Sequence, residues 1–178
     1  FITEAQIYKE LGKPEQALRL YGDAIIANPK NPDLLYAGGL LAADMGDIEQ
    51  AEKDFKAVLK LSPDDADALN ALGYTLADQT DRLEEAFGYI QRAYEQMPDS
   101  AAILDSMGWL LYRMGKLKEA LGYLEKAAAK LQDGEIAAHL GEVLWMLGRK
   151  EQAREVWEKA REHAPDNPKL KQTIQRFL

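Results

Sequence analysis

A glycine followed five residues later by an alanine recurs in this chain at Gly12/Ala17, Gly46/Ala51, Gly115/Ala120 and Gly148/Ala153. Four residues past each alanine stands a large side chain: Tyr21, Phe55, Leu124 or Trp157. In three of these copies a closing proline follows, Pro29, Pro63 or Pro165. A further copy, counted from Ala86, carries Ile90, Ala93 and Pro98 but has no glycine ahead of it. Self-similarity at about 34 residues dictates an array of helix-turn-helix units. One pair of helices buries only one side of its apolar surface, so a neighbouring pair must cover the rest.

Spacing within a pair supports this. Leu69, Leu72 and Leu76, then Leu83, Phe87 and Ile90, stand three or four residues apart, as on the apolar stripe of a helix. Gly39, Gly73, Gly108 and Gly141 fall inside the first helices, facing the alanines of the second. Gly73 against Ala86 offers a notch that lets two helices approach without a side-chain clash, and Leu76 and Ile90 fill the space beside it. Gly12, Gly46, Gly115 and Gly148 stand where a first helix ends in a left-handed cap. The third pair has "DQTDR" there, one residue longer. A looser turn that closes without glycine is expected, with both apolar faces kept in register. The alternative is an exposed polar loop that touches a partner, although loops tolerate insertions without any such role.

The breaks "NPKNP", "SPDDA", "MPDSA" and "APDNP" combine a proline that ends one helix with an Asp or Asn that caps the next. They divide a single domain, residues 1–178, into units 1–31, 32–65, 66–100, 101–133 and 134–167. Residues 168–178 are expected to form a closing helix whose Leu170, Ile174 and Phe177 cover the last pair, while Lys169, Lys171, Gln172, Gln175 and Arg176 meet water. Between the fourth and fifth units the chain is one residue shorter and lacks the proline, so Gly134 is expected to make that turn. Gly38, beside Gly39, takes a place where a large residue is usual. Close packing against the first unit and a soft hinge both account for it.

The notch glycines, the facing alanines and the closing prolines, in five in-phase copies over essentially the whole chain, resemble the tetratricopeptide repeat family. The resemblance implies an all-α protein: a right-handed superhelix, or α-solenoid, of five units plus a C-terminal capping helix. It also implies that the first helix of each pair lines the concave side. Residues there that pair packing does not require are Tyr36, Leu40, Asn70, Tyr74, Asp105, Trp109, Tyr112, Arg113, Glu142, Trp145 and Met146. Trp109 and Tyr112, three apart, share one helix face, and aromatic residues with Arg compose protein-binding hot spots. The alternative is that these aromatics pack only onto the adjoining helix. Asp33, Asp44, Asp67 and Asp78 would add an acidic rim.

Chemistry of other kinds finds little footing. A net charge of -8 argues against a nucleic-acid or anionic-membrane surface, which needs clustered Lys and Arg. No run approaches the roughly 20 apolar residues of a membrane span. Cysteine is absent, which excludes disulfides and thiolate chemistry. His139 and His163 are 24 residues apart with no metal-ligand spacing around them, so His139 reads as a packed helix residue. No glycine-rich phosphate loop and no serine on a strand-to-helix elbow occurs. The expectation is a non-enzyme without cofactor or metal. The Lys, Asn and Arg clamp that grips chaperone tails is absent too: Ile2, Gln6, Ala37, Asp67 and Ala71 hold those places. Because Phe1 already belongs to the helical pattern "FITEAQIYKELG", the chain reads as a segment of a longer protein.

The runs "DALNALGYTLAD", "ILDSMGWLLYRMGKLKEAL" and "EIAAHLGEVLWMLGR" are similar to the C-terminal repeats of bacterial outer-membrane tetratricopeptide lipoproteins. That likeness implies an adaptor that binds a carboxyl-terminal processing protease and brings it protein substrates such as cell-wall hydrolases. It implies a place on the periplasmic side of the outer membrane, while the residues themselves leave a cytoplasmic location open. Asp105, Trp109, Tyr112 and Glu142 are the residues this reading puts first. The competing reading is a self-associating structural segment of a cell-envelope complex.

Overall fold

Helix starts at the breaks between units are set by side chains that accept from backbone amides a helix leaves unused. The computed structural model describes residues 2–178, and Phe1, which opens the first expected helix, lies outside the described residues. Asn31, Asp65, Ser100, Asp133 and Asn167 each accept from amides two or three residues ahead, which is N-capping. The helices are α1 (Ile2–Glu10), α2 (Pro14–Ala27), α3 (Pro32–Asp44), α4 (Ile48–Leu61), α5 (Ala66–Gln79), α6 (Leu83–Gln96), α7 (Ala101–Arg113), α8 (Leu117–Lys130), α9 (Gly134–Met146), α10 (Lys150–His163) and α11 (Pro168–Phe177). No strand occurs among the described residues. The architecture is an α-solenoid of helix hairpins.

The turns follow the expected chemistry. Gly12, Gly46, Gly115 and Gly148 adopt φ between 69° and 80°, the left-handed cap that a Cβ would strain. The third turn closes without one. Thr80 is extended there; its hydroxyl donates to the Leu76 carbonyl at 2.6 Å and accepts from the Arg82 amide at 3.0 Å. Arg82 then spans Glu85 beside it and Glu52 on α4, at 2.7 Å each.

The notches are occupied as the pairing requires. A Cβ at Gly73 would come 2.6 Å from Ile90 Cγ1, at Gly39 2.7 Å from Phe55, and at Gly108 2.5 Å from Leu124. At Gly141 it would meet the Trp157 indole at 2.0 Å. At Gly38 a Cβ would stand 3.2 Å from Ile25 Cδ1 of α2 and 3.3 Å from Asp54 Oδ2 of α4, so this glycine approaches the first unit but at the edge of open space. Gly134 does not make its turn. It is the first residue of α9, behind the Asp133 cap, and its missing side chain leaves room for Asn167.

The chain divides into two compact bodies, the first ending at Gln96 and the second being Met97–Leu178. In the first, α5 pairs with α6, leans on α4 of the preceding pair and touches α3 lightly. Ala5, Ala17, Tyr21, Ala24, Leu34 and Leu41 make one of its cores. In the second body α9 pairs with α10, leans on α8 of the preceding pair and touches α7. α11 behaves differently: it leans on α9 and touches α10 only lightly. At its end the Phe177 ring meets both helices of the last pair, 5.6 Å from Trp145 of α9 and 5.7 Å from Trp157 of α10.

Candidate functional site

Equivalent places on the first helices can be compared by counting from their caps. Leu40, Tyr74, Trp109, Glu142 and Arg176 each stand nine residues past the cap, on α3, α5, α7, α9 and α11. Tyr36 and Asn70 stand four residues before Leu40 and Tyr74, hence on the same faces of α3 and α5.

In the first body this surface is partly open. Leu40 is 41% exposed, while Tyr36, Asn70 and Tyr74 are half-buried. The Tyr36 ring lies 5.9 Å from Phe55. Burial raises the pKa of its hydroxyl, and the carboxylates of Asp67 and Asp65 add to the rise. Asn70 Oδ1 is shielded from water and has no hydrogen-bond partner among the described residues, a deficit that costs about 1–3 kcal/mol where it persists. The acidic rim is mixed in character. Asp33 and Asp67 are exposed, but Asp44 is paired with Lys9 at 2.6 Å, and Asp78 is half-buried.

In the second body the same surface is packed. Trp109, Asp105 and Glu142, expected to line an open groove, are 6%, 6% and 3% exposed. The Trp109 indole stacks on the His139 ring at 4.1 Å and lies 4.9 Å from the Tyr112 ring. Lys169 of α11 sits over Trp109 at 5.1 Å. His139 Nδ1 faces both carboxylate oxygens of Asp105 at 3.0 Å. Glu142 accepts from the Tyr112 hydroxyl at 2.8 Å and from Arg176 of α11. Burial, followed by the Glu142 hydrogen bond, pushes the Tyr112 hydroxyl up to about 12. Trp145 is half-buried in the aromatic cluster with Trp157 and Phe177, with Lys150 4.9 Å over its ring. Arg113 is half-buried, and Met146 is 51% exposed.

Two helices make the difference: His139 of α9 stacks on Trp109 and faces Asp105, and α11 covers the rest. Its Lys169 and Arg176, expected to meet water, instead supply cations to the Trp109 ring and the Glu142 carboxylate and shield both from solvent. Reading for metal ligands one helix turn apart missed the Asp105–His139 contact, whose residues lie 34 positions apart. The period of the repeat was the usable signal, since adjoining first helices bring together residues about one repeat apart. No group of three His, Cys, Asp or Glu residues able to hold a metal occurs among the described residues. No described helix is long and apolar enough to cross a membrane.

Comparison with known proteins agrees with the helical arrangement. Tetratricopeptide repeat family models match residues 2–44, 36–101 and 111–176. A curated relative, the TPR repeat-containing protein PA4667 of Pseudomonas aeruginosa, is 44% identical over 142 residues. That match covers 80% of this chain but only 24% of the relative. The Arabidopsis thaliana CTR9 homolog is 29% identical over 107 residues, 10% of its length. Among solved structures, the Thermus thermophilus TPR protein TTC0263 superposes with a TM-score of 0.84 at 24% identity, covering 98% of this chain and 95% of that one. A tetratricopeptide repeat protein from Parabacteroides merdae gives 0.82 at 23%, over 98% of this chain and 68% of that one. These likenesses at low identity concern the fold alone.

Proposed function

This chain belongs to the tetratricopeptide repeat family, and on that premise we propose that it is a non-enzymatic adaptor whose inner helical faces hold a protein segment. Proteins of this fold are typically interaction scaffolds. The observation that carries the reading is the contrast at one repeated place on the first helices. In the second body it is covered by a helix, α11, that brings a lysine to Trp109 and an arginine to Glu142. In the first body Leu40 remains exposed beside Tyr36, Tyr74 and Asn70, whose Oδ1 has no partner among the described residues. A surface that takes a helix of its own chain in one body is suited to take a foreign helix or extended segment in the other. Apolar contact from Leu40 and the tyrosines supplies affinity, and a rotation of the Asn70 side chain that brings out its shielded Oδ1 adds a hydrogen bond to a partner amide.

The likeness of the "DALNALGYTLAD" and "ILDSMGWLLYRMGKLKEAL" runs to outer-membrane lipoprotein repeats supports a finer reading. The partners are a carboxyl-terminal processing protease and its protein substrates, met on the periplasmic side of the outer membrane. The chain spans about a quarter of the length of its Pseudomonas relative, so this role belongs to a whole protein of which these repeats are one part. A photo-crosslinking residue placed at Leu40 or Tyr74 is expected to capture a protein from periplasmic extract, and one placed at exposed Gly88 is not. Equal capture at all three removes the site. For the finer reading, the purified protease should degrade a cell-wall hydrolase faster with the full-length protein than without it. Tyr36→Ala plus Tyr74→Ala should abolish that gain, and an unchanged rate in both cases ends the protease assignment.

Self-association is the second reading, and α11 favours it: a helix that docks on α9 within one chain can dock on α9 of another. Light scattering that returns a monomer at working concentration rejects it.

A further inference from the structure

The second helix pair departs from the others at two places that touch. The residue just before the notch glycine is Leu72, Met107 or Leu140 in three pairs, but Gly38 in this one. The residue three past the packing alanine is Leu20, Tyr89, Tyr123 or Val156 elsewhere, but Asp54 here. A Cβ on Gly38 would stand 3.3 Å from Asp54 Oδ2, so the two exceptions form one feature. Where other pairs place two large apolar side chains, this pair has a hydrogen atom and a carboxyl.

The consequence is a half-open cavity of about 600 Å³ between α2, α3 and α4. Leu18, Ile25, Ile26 and Leu35 contribute apolar wall. Asp54 lines it too, yet is only 3% exposed. Its Oδ1 accepts from Gln50 Nε2 at 2.8 Å, and that is the hydrogen bond it makes among the described residues. Burial raises its pKa against the lowering effect of Gln50. A carboxyl so withdrawn from water, with one oxygen uncommitted, is costly to keep unless something pairs with it. The rim carries Arg19 and Lys53, offset by Glu15 and Asp47; Lys53 acts on Asp54 only through space, against burial and Asp47, and makes no hydrogen bond to it.

We propose that this cavity is a binding site for a primary ammonium group on an apolar stem, with Asp54 as its anionic partner. The apolar walls take the methylenes of the stem, in the way lysine stems lie along apolar surface while the head meets a charge. An ammonium fits better than a guanidinium. A planar guanidinium is strongest against two free carboxylate oxygens, whereas Gln50 already holds Oδ1 and leaves Oδ2 for a point-like donor. Two sources share this chemistry: the side chain of a lysine on a protein partner, and a free alkylamine.

The test is a titration of the 178-residue chain with n-pentylammonium and, separately, with 1-pentanol, followed by backbone amide chemical shifts. Saturable shifts clustered at Gly22, Gly38 and Ala57 are expected with the amine, and at least tenfold weaker binding with the alcohol. Equal affinities, or no clustered shift with either, overturn the proposal, and this comparison needs no variant. Asp54→Asn, confirmed helical by circular dichroism, should weaken amine binding at least tenfold; unchanged binding also overturns it. Acetyl-Leu-Lys-Leu-amide then separates the sources. Affinity at least tenfold above pentylammonium identifies a protein lysine as the ligand, and affinity no better identifies a free amine.

Discussion

Individual residues here divide into those that fix helix contact and those that only occupy helix surface, and glycine supplies both kinds. Gly73 lies against Ile90, with the Ala86 carbonyl 3.1 Å from where a Cβ would be. Gly88, midway along α6, has nothing within 4 Å of the same place. Gly73→Ala should therefore cost about 1–3 kcal/mol through overpacking. Gly88→Ala should instead stabilise the chain by up to about 1 kcal/mol through helix propensity. Paired thermal melts check both signs, and a Gly73→Ala variant as stable as the parent would contradict the notch. Glu52 offers a residue-scale test of electrostatics. Hydrogen bonds from Arg82 and Lys56 hold its carboxyl down at about 2, against an ordinary 4.5. A depressed carboxylate stabilises the fold fully above its unfolded value and loses that contribution as pH falls through its folded value. Glu52→Gln should thus be less stable than the parent at pH 7, with the gap closing between about pH 4.5 and 2. A gap that stays constant across that window in urea titrations would discount the Arg82 contact.

At the scale of the helix, caps and turns were legible in the sequence because each depends on a few adjacent residues. Asn31, Asp65 and Asn167 cap where the breaks placed them, and the four turn glycines carry positive φ. Gly134 misled because a glycine beside an Asp reads equally as a turn or as the first residue of a helix; the Asp133 cap decided between them. Burial of the inner-face residues was not legible, since it depends on which helix lies across α9. Amphipathic spacing in "PKLKQTIQRFL" reveals an apolar stripe but not where the cations flanking it will settle. The docking of α11 carries its own prediction. Phe177→Ala removes one ring from the cluster with Trp145 and Trp157, a loss of about 3–5 kcal/mol for a fully buried ring and less for this half-buried one. Tryptophan emission should shift to the red and acrylamide quenching should rise. Unchanged quenching would mean that α11 does not shield this face in solution.

For the whole molecule, repetition makes the fold readable and the partner hard to read. A periodic core leaves its mark in every copy, so the α-solenoid follows from the glycine and alanine frame alone. Binding residues are by nature the aperiodic remainder, and a single chain does not separate those that face a partner from those that face α11. Tyr36, Leu40, Asn70 and Tyr74 stayed at a partly open surface, while Asp105, Trp109 and Glu142 were absorbed into packing. The exceptions proved as informative as the rule: Gly38 and Asp54 break the period together and leave a cavity.

Trp109, Trp145 and Trp157 are the three tryptophans of the chain, and all lie in the body Met97–Leu178. Indole fluorescence is therefore blind to residues 2–96, whereas the peptide chromophore samples every helix. If the two bodies melt as separate cooperative blocks, urea curves from the two spectroscopies will part company. Superimposable curves would mean that disorder spreads through the entire array at once.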